Sequence, residues 1–317
     1  MIDSGTQIAT APSAVLIAGP TASGKSSLAL RLAQIVDGVI INADSMQIYD
    51  QLSILSARPT PEEMGDVEHR LYGYVDPAER YSVGRWLDDA VAAIKDVRAG
   101  GQCPILVGGT GLYFKALLEG LNVVPDVPES IRNFWESELD RLQSPEALHA
   151  ILAERDPEMA ATLKPADGQR ILRALEILEA TGKSLLEWQR NPVLRHDPTI
   201  VEDAIKLALC PPRDLVYKKI EARFDQMVEL GGIREAVTMA SLGLDPDLPA
   251  MKAIGVSYLA SFDEGLLDYD EAIRLCKRDT RRYAKRQMTW IRNQMSDWPL
   301  FDTAEDAIAR FLIEMKK

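Results

Sequence analysis

The chain has 317 residues, of which 46% are hydrophobic and 26% charged, so it can bury one large core or two smaller ones. A net charge of -12 argues against a nucleic-acid partner unless cations are concentrated locally. Cys103, Cys210 and Cys276 lack disulfide or zinc-site spacing, and no apolar run suits a membrane span or signal peptide. We therefore expect a soluble, cytoplasmic protein without a membrane partner.

The first predicted element is a strand that leads directly into a glycine-rich loop and a helix. Val15–Ala18 is an apolar run of strand type, and the following GPTASGKS matches the pattern G-x-x-x-x-G-K-[ST]. In such a loop the backbone N–H groups point at anionic oxygens where a helix begins, and the lysine adds a positive charge. We therefore predict a diphosphate or triphosphate site, as in proteins that bind ATP, with the Ser26 hydroxyl as a ligand of Mg²⁺. The site comprises Gly19, Pro20, Thr21, Ala22, Ser23, Gly24, Lys25 and Ser26.

Further apolar strands are predicted at residues 39–43, 104–107 and 205–209. Helical patterns lie between the earlier strands, for example at residues 86–97, between the strands at 39–43 and 104–107. Strands that alternate with helices form a doubly wound parallel sheet. Ligands of such sheets bind beyond the carboxyl ends of the strands, where Asp44 and Thr110 each follow a predicted strand. Both could instead be structural, Asp44 as a cap and Thr110 as part of the tight turn GGTG.

Asp44 is the one acid found at these strand ends. A P-loop NTPase normally has a second one, the Walker B aspartate, which helps to hold Mg²⁺ for attack on the terminal phosphate. Neither ILVGG nor IKLALC contains an acid, so any acid or base chemistry falls to Asp44. The loop alone does not decide whether phosphorus is attacked, or a carbon atom that leaves the diphosphate behind.

Residues 121–203 differ in character from the rest, because they are rich in charge, interrupted by proline and helical in period. We interpret them as an all-helical insertion domain, and residues 1–120 and 204–317 as an α/β core with C-terminal helices. Within the insertion, Gln169 and Arg173 lie four residues apart on one helix face. There they could hydrogen-bond a nucleic-acid backbone or base.

A cationic helix is predicted near the C-terminus, in CKRDTRRYAKRQMTWIRNQM. Its apolar stripe is Ala284, Met288, Ile291 and Met295. The neighbouring arc could contact a polyanion, although a solvated charged face would have the same composition. Tyr283 and Trp290 flank the arc, where they could stack on bases or pack in the core. The bases of the arc are Arg278, Arg281, Arg282, Lys285, Arg286 and Arg292.

Seven motifs occur in order across nearly the whole chain: GPTASGKS, NADSMQIY, GGTGLYFKALLEGL, DGQRILRALEILEATGKS, RFDQMVELGG, KAIG and TRRYAKRQMTWIRN. Together they resemble the bacterial tRNA dimethylallyltransferases. The resemblance implies a P-loop kinase-like parallel sheet core with a helical insertion that grips the tRNA anticodon stem-loop. It also implies Mg²⁺-dependent transfer of a dimethylallyl group from dimethylallyl diphosphate to N6 of adenosine 37, in tRNAs that read codons beginning with U.

The resemblance also implies roles for individual residues. Asp44 matches the family's base, and Lys25 and Arg223 match residues that hold the diphosphate. Thr110 completes the predicted catalytic set. The matching tRNA contacts are Asp44, Ser45, Met46, Gln47, Thr110, Arg132, Gln169, Arg170, Ile171, Leu172 and Arg173, to which the charge pattern of the cationic helix adds Arg281 and Lys285.

Other functions fit parts of this pattern. A small-molecule P-loop kinase would use the loop and the crevice, but it has no need of a cationic helix. An RNA-binding NTPase without group transfer would leave Asp44 without a task. An isopentenyltransferase acting on free adenine nucleotides would need neither the insertion nor the cationic helix.

We expect the protein to be a monomer.

Overall fold

The computed structural model describes residues 12–190 and 193–316. They form two compact units, the first made of the chain up to Glu119 and from Pro198 onward, the second of Gly120–Asp197. Among the described residues, no helix is both long enough and apolar enough to cross a membrane.

A parallel β-sheet forms the centre of the first unit. Its strands are β1 (Val15–Ala18), β2 (Gly38–Asn42), β3 (His69–Arg70), β4 (Cys103–Gly108), β5 (Ile205–Leu209) and β6 (Leu300–Phe301). All neighbours pair in parallel, in the order β3-β2-β4-β1-β5-β6. Every residue of β1, β2 and β4 is buried, as is typical of parallel strands with helices on both faces. The predicted α/β fold with a parallel sheet is confirmed.

Helices account for most of the remaining chain. They are α1 (Lys25–Val36), α2 (Pro61–Met64), α3 (Val83–Ala99), α4 (Gly111–Glu119), α5 (Glu129–Leu142), α6 (Pro145–Arg155), α7 (Pro157–Ala160), α8 (Gly168–Thr181), α9 (Leu185–Arg190), α10 (Arg213–Glu229), α11 (Gly232–Ser241), α12 (Val256–Asp263), α13 (Tyr269–Gln294) and α14 (Ala304–Glu314). Helices α5 to α9 belong to the second unit and the others to the first.

Side-chain caps and apolar stripes explain where the main helices begin and how they pack. The Ser82 hydroxyl accepts the Arg85 N–H at the start of α3, and the Asp268 carboxylate accepts the Glu271 N–H at the start of α13. Along α13 the predicted apolar stripe is buried: Ala284, Met288, Ile291 and Met295. The cationic helix is therefore anchored by one face, which leaves its other side for charged residues.

Several apolar cores stabilise the first unit, and two of them bear on the site. One lies on the sheet, where β1, β4 and β5 pack against α1 and α14 through residues such as Ile17, Leu28 and Phe311. The other is formed among α10, α11, α12 and α13, around Phe224 and Leu259. Both cores hold in place the elements that carry the phosphate loop and the cationic helix.

The second unit has its own apolar core, formed by α5, α6, α7 and α8. Trp135, Leu148 and Leu175 are at its centre. The segments that enter and leave the unit run antiparallel: the Val123 N–H donates to the Val193 carbonyl at 2.7 Å. A separate core and adjacent ends are what an insertion into a surface loop requires.

Candidate active site

The phosphate loop joins the end of β1 to the start of α1. Gly24 has a φ of 96°, a left-handed conformation that glycine adopts without strain, and Ala22 has a φ of 61°. A Cβ on Gly19 would lie 2.6 Å from the Leu209 carbonyl oxygen, so only glycine fits there. The Ser23 N–H closes the turn on the Pro20 carbonyl at 3.2 Å. The motif glycines are thus required by the backbone itself.

Lys25 is half-buried at the first turn of α1, and its Nζ donates to the Pro20 carbonyl at 3.3 Å. Burial lowers the pKa of Lys25 to about 8; the negative charge of Asp44 opposes this shift, and the positive charge of Arg223 adds to it. A bound diphosphate would supply the negative charge that stabilises the ammonium form. Lys25 is therefore suited to holding an anion.

Arg223 reaches the same place from α10. Its Nη2 donates to the Ala57 carbonyl at 3.3 Å, and within the described chain it forms no ion pair. Burial lowers its pKa, an effect that the negative charges of Glu63 and Asp44 oppose. A half-buried guanidinium bonded to a carbonyl keeps donors for an anionic ligand.

Asp44 lies just beyond β2 and is fixed by a local network of hydrogen bonds. Its backbone N–H donates to Asn42 Oδ1 at 2.8 Å, while its Oδ1 accepts the Met46 N–H at 3.0 Å. Asn42 Nδ2 donates in turn to the Asp44 carbonyl at 3.0 Å. Within the described residues Oδ2 accepts no hydrogen bond. Asp44 thus stabilises the turn through Oδ1, while Oδ2 remains available to accept a proton.

Thr110 connects the turn after β4 to the loop after β2. Its Oγ1 accepts the Ser45 N–H at 3.0 Å and donates to Ser45 Oγ at 3.3 Å. The Thr110 N–H donates to the Ala43 carbonyl at 3.2 Å. The hydroxyl therefore holds the residue next to Asp44 in place.

The glycines of the GGTG turn permit close packing on two sides. A Cβ on Gly108 would lie 1.9 Å from the Ala43 carbonyl oxygen, and one on Gly111 would lie 2.0 Å from the Trp290 ring of α13. No side chain fits at such distances unless the neighbours move. The turn thus brings β4, the Asp44 loop and α13 together.

Gln287 on α13 bridges two of the predicted motifs. It accepts the Thr21 N–H at 2.9 Å and donates to the Gly109 carbonyl at 3.0 Å. It is 5% exposed, so these bonds form in a largely dry environment. Our sequence analysis missed Gln287, although it lies within the TRRYAKRQMTWIRN motif.

A cavity of about 230 Å³ lies where these groups meet. Its polar lining includes Thr21, Lys25, Ser26, Asp44, Ser45, Gln47, Arg223 and Tyr283. Its apolar lining includes Met46, Leu55, Ile220, Phe224, Met227 and Ile254. Except for Met46, the sequence analysis did not identify the apolar residues, because a hydrophobic side chain that lines a cavity has the same pattern as one in the core.

Tyr283 belongs to the cavity rather than to the core alone. Its side chain interacts with those of Thr110 and Gln287, and burial together with the charge of Asp44 raises its pKa. The Arg286 guanidinium lies over its ring, 5.6 Å from the centroid. The phenol is therefore neutral at physiological pH.

Ser26 is the predicted metal ligand. It is exposed, lines the cavity and has no hydrogen-bond partner among the described residues. In that part of the chain no group of His, Cys, Asp and Glu side chains could hold a metal alone. Mg²⁺ usually takes one or two protein ligands and completes its shell with phosphate oxygens and water. These residues fit an ion that binds together with a diphosphate.

Of the six bases in the predicted arc of the cationic helix, three are paired with acids and three are not, within the described chain. The pairs are Arg278–Asp279 at 2.9 Å, Arg281–Glu221 at 2.7 Å and Arg282–Asp279 at 3.4 Å. Lys285, Arg286 and Arg292 are exposed and form no ion pair there. Of the two tRNA contacts predicted on this helix, Lys285 is the freer cation.

The predicted tRNA contacts of the second unit lie on α5 and α8. Gln169 and Arg170 are exposed, and Arg132 is half-buried. Arg173 is paired with Glu176 at 3.3 Å. Ile171 is fully buried, so a contact at that position would have to use its backbone. Leu172 is half-buried beside it.

Comparison with known proteins gives consistent matches over most of the chain. Residues 47–294 match the family described as IPP transferase, and residues 12–77 match isopentenyl transferase. The tRNA dimethylallyltransferase of Azorhizobium caulinodans is 51% identical over 291 residues, covering 90% of this chain and 91% of the relative. That of Agrobacterium fabrum is 50% identical over 286 residues, covering 90% and 94%.

Two solved structures are similar in fold as well as in sequence. The tRNA isopentenylpyrophosphate transferase of Bacillus halodurans superposes with a TM-score of 0.67 at 34% identity, covering 95% of this chain and 96% of that one. A eukaryotic dimethylallyltransferase acting on tRNA has a TM-score of 0.74 at 27% identity, covering 91% and 73%.

Proposed function

The chain belongs to the IPP transferase family, and on that premise we propose that it transfers a dimethylallyl group from dimethylallyl diphosphate to N6 of adenosine 37 in tRNA. The products are N6-dimethylallyladenosine and diphosphate. The observation that carries this proposal is a cavity lined by the phosphate-loop lysine Lys25, by Arg223 of α10, by one strand-end acid and by apolar side chains. A prenyl diphosphate has the matching surfaces, one anionic end and one hydrocarbon end.

In this proposal the phosphate loop and two cations hold the leaving group. When the bond between C1 of the dimethylallyl group and the bridging oxygen breaks, its electron pair goes to the diphosphate. Lys25, Arg223 and the loop N–H groups stabilise that charge where it develops, and this favours the transition state over the ground state. If present, Mg²⁺ held by Ser26 and phosphate oxygens would neutralise further charge.

Asp44 takes the proton that the nucleophile must lose. The N6 amine is a weak nucleophile, because its lone pair is delocalised into the purine. As the bond from N6 to C1 forms, one N6 proton moves to the free oxygen of the Asp44 carboxylate. Two hydrogen bonds support this geometry: the Met46 N–H donates to the Asp44 carboxylate, and the Ser45 N–H donates to the Thr110 hydroxyl, so that Asp44 and its neighbour Ser45 are fixed. Attack is thus at carbon, and no residue has to position a water molecule.

The tRNA is proposed to bind through cationic and polar side chains. We assign its backbone contacts to the cationic helix and to the second unit, with adenosine 37 flipped out of its stack to reach the cavity. The substrates would be tRNAs that read codons beginning with U, and the enzyme would act as a cytoplasmic monomer. Arg132, Gln169, Arg170 and Arg173 are the proposed contacts of the second unit.

Analysis of the nucleosides in modified tRNA tests the proposal. The purified protein is incubated with unmodified tRNA, dimethylallyl diphosphate and Mg²⁺, and the digested tRNA is examined by mass spectrometry. We expect one adenosine per tRNA, at position 37, to gain a C₅H₈ unit. Parallel reactions supply AMP as acceptor or ATP as donor. Prenylated AMP without prenylated tRNA, or phosphate release from ATP with no modified nucleoside, would contradict the proposal.

A further inference from the structure

The loop of residues 53–57 is an unassigned part of the cavity wall. Its members Leu55, Ser56 and Ala57 line the cavity, and Leu55 also packs on the apolar core around Phe224. The loop follows the predicted NADSMQIY motif without belonging to it.

One carboxylate on α11 holds the backbone of this 53–57 loop. Glu235 Oε2 accepts the N–H groups of Ser53 at 3.0 Å and Ile54 at 2.8 Å, and also the Ser53 hydroxyl at 2.8 Å. Glu235 Oε1 accepts the Leu55 N–H at 2.8 Å. Three successive N–H groups thus converge on one side chain. An amide could not replace it, because its NH₂ group donates and would leave at least one of these N–H groups without an acceptor.

The Leu55 side chain has little room to move. A Cβ on Gly232, at the start of α11, would lie 3.3 Å from Leu55 Cδ2, and a Cβ on Gly255, just before α12, would lie at the same distance. The leucine methyl groups therefore use space that two glycines leave open. Leu55 is a rigid part of the wall as long as its backbone is held.

The far end of the loop is tied to the phosphate side of the cavity. The Ala57 carbonyl accepts Gln47 Nε2 at 2.8 Å and Arg223 Nη2 at 3.3 Å. The 53–57 loop thus connects a cation assigned to the diphosphate with an apolar wall. If the diphosphate binds beside Arg223, the position of this loop would limit how far the attached hydrocarbon chain can extend.

We propose that Glu235 is a positioning residue and Leu55 a specificity-determining residue, which together restrict the donor to a five-carbon chain. The inference rests on the proposed function, because it concerns the prenyl donor of the same site. A geranyl chain carries five more carbons, and it would have to displace Leu55 from its place beside the two glycines. In a wall this closely packed, that displacement is costly.

The test compares dimethylallyl with geranyl diphosphate as donors for tRNA. kcat/KM is measured for both in wild type, Leu55→Ala and Glu235→Gln. We expect the preference for dimethylallyl diphosphate to fall at least about 10-fold in both variants, the range in which hydrophobic pockets discriminate chain length. In Glu235→Gln the change should arise mainly in KM, since the reacting groups are untouched.

Two matched variants separate selectivity from general damage. Leu267→Ala removes a half-buried leucine from the same apolar core, and Glu229→Gln removes an exposed glutamate at the end of α10. Neither lines the cavity, so the preference should stay at the wild-type value. If Leu55→Ala does not fold, Leu55→Val replaces it, and the ratio of kcat/KM for the two donors is measured in the same way.

An unchanged preference in folded Leu55 and Glu235 variants would overturn the inference, whether both donors react as in wild type or both are slowed equally. If wild type modifies no tRNA with either donor, the proposed function fails instead, which is a different result.

Discussion

At the scale of single residues, the role proposed for Lys25 would link diphosphate binding to pH. Burial depresses its pKa to about 8 in the free protein, and a bound diphosphate would raise it again. Binding therefore takes up a proton when the pH is above about 8. We predict that the affinity for dimethylallyl diphosphate, measured by calorimetry without tRNA, is constant near neutral pH and falls as the pH rises through 8 and beyond.

The Lys25→Arg variant is the control, because arginine keeps its charge over this whole range. Its affinity should be lower at neutral pH but nearly independent of pH. The ligand itself does not titrate there, since the last pKa of a phosphate ester is about 6. Equal pH dependence in both proteins would exclude Lys25 as the titrating group.

A site residue could be predicted when a short stretch of sequence around it specifies its role. The phosphate loop and Asp44 were predictable because a short motif or a strand end specifies them. Gln287 was not, because its partners Thr21 and Gly109 are distant in sequence and meet it only through packing. Leu55 and Glu235 were missed for the same reason: the contact joins residues 180 positions apart.

At the scale of elements, four strands were predicted and two were not. The predicted strands β1, β2, β4 and β5 are buried or half-buried segments of four to six mainly apolar residues. β3 and β6 have two residues each and lie at the sheet edges. Two residues are too few for any periodicity, so only pairing with a neighbour makes them strands.

The close contact between the GGTG turn and the Asp44 loop gives a prediction at this scale. Gly108→Ala places a Cβ 1.9 Å from the Ala43 carbonyl, so the backbone beside Asp44 must move. We expect a loss of about 1–3 kcal/mol in the free energy of unfolding, together with lower transfer activity. Denaturant titration and single-turnover transfer measure the two effects.

Gly168→Ala is the matched control for this substitution. Its Cβ would meet the nearest atom at 3.6 Å, an ordinary contact. The stability of that variant should therefore be close to wild type. Equal stability of the Gly108 and Gly168 variants would show that the turn tolerates a side chain.

The cationic helix gives a second prediction. Lys285 is exposed and unpaired within the described chain, whereas Arg281 is bonded to Glu221. In a plot of log affinity for tRNA against log salt concentration, Lys285→Gln should reduce the slope by about one. Arg281→Gln should change it less, because Glu221 already neutralises that charge. Unchanged slopes in both variants would identify α13 as a solvated charged face.

At the scale of the whole molecule, charge and chemistry are distributed over different parts. The chain carries a net charge of -12, yet its bases are concentrated on α13. The alternation of strands and helices predicted the parallel sheet, the motifs read in order predicted the family, and both predictions are confirmed. Most of the apolar part of the cavity lining could not be predicted in this way, because it depends on how α10, residues 252–254 and the 53–57 loop pack together.

This distribution predicts that binding and chemistry can be separated by one substitution. In the proposed mechanism the phosphate loop and Arg223 hold the donor, α13 binds the tRNA, and Asp44 accepts the proton. Asp44→Asn keeps the shape of the side chain and an oxygen that can accept the Met46 N–H. It removes the carboxylate that accepts a proton.

The most direct test of attack at carbon with Asp44 as base is therefore a single-turnover comparison of wild type and Asp44→Asn. Dimethylallyl transfer to N6 is followed together with the affinities for donor and tRNA. We predict a rate loss on the order of 10² to 10⁴, with donor and tRNA affinities close to wild type. Transfer by Asp44→Asn at the wild-type rate, with both substrates bound normally, would contradict the account.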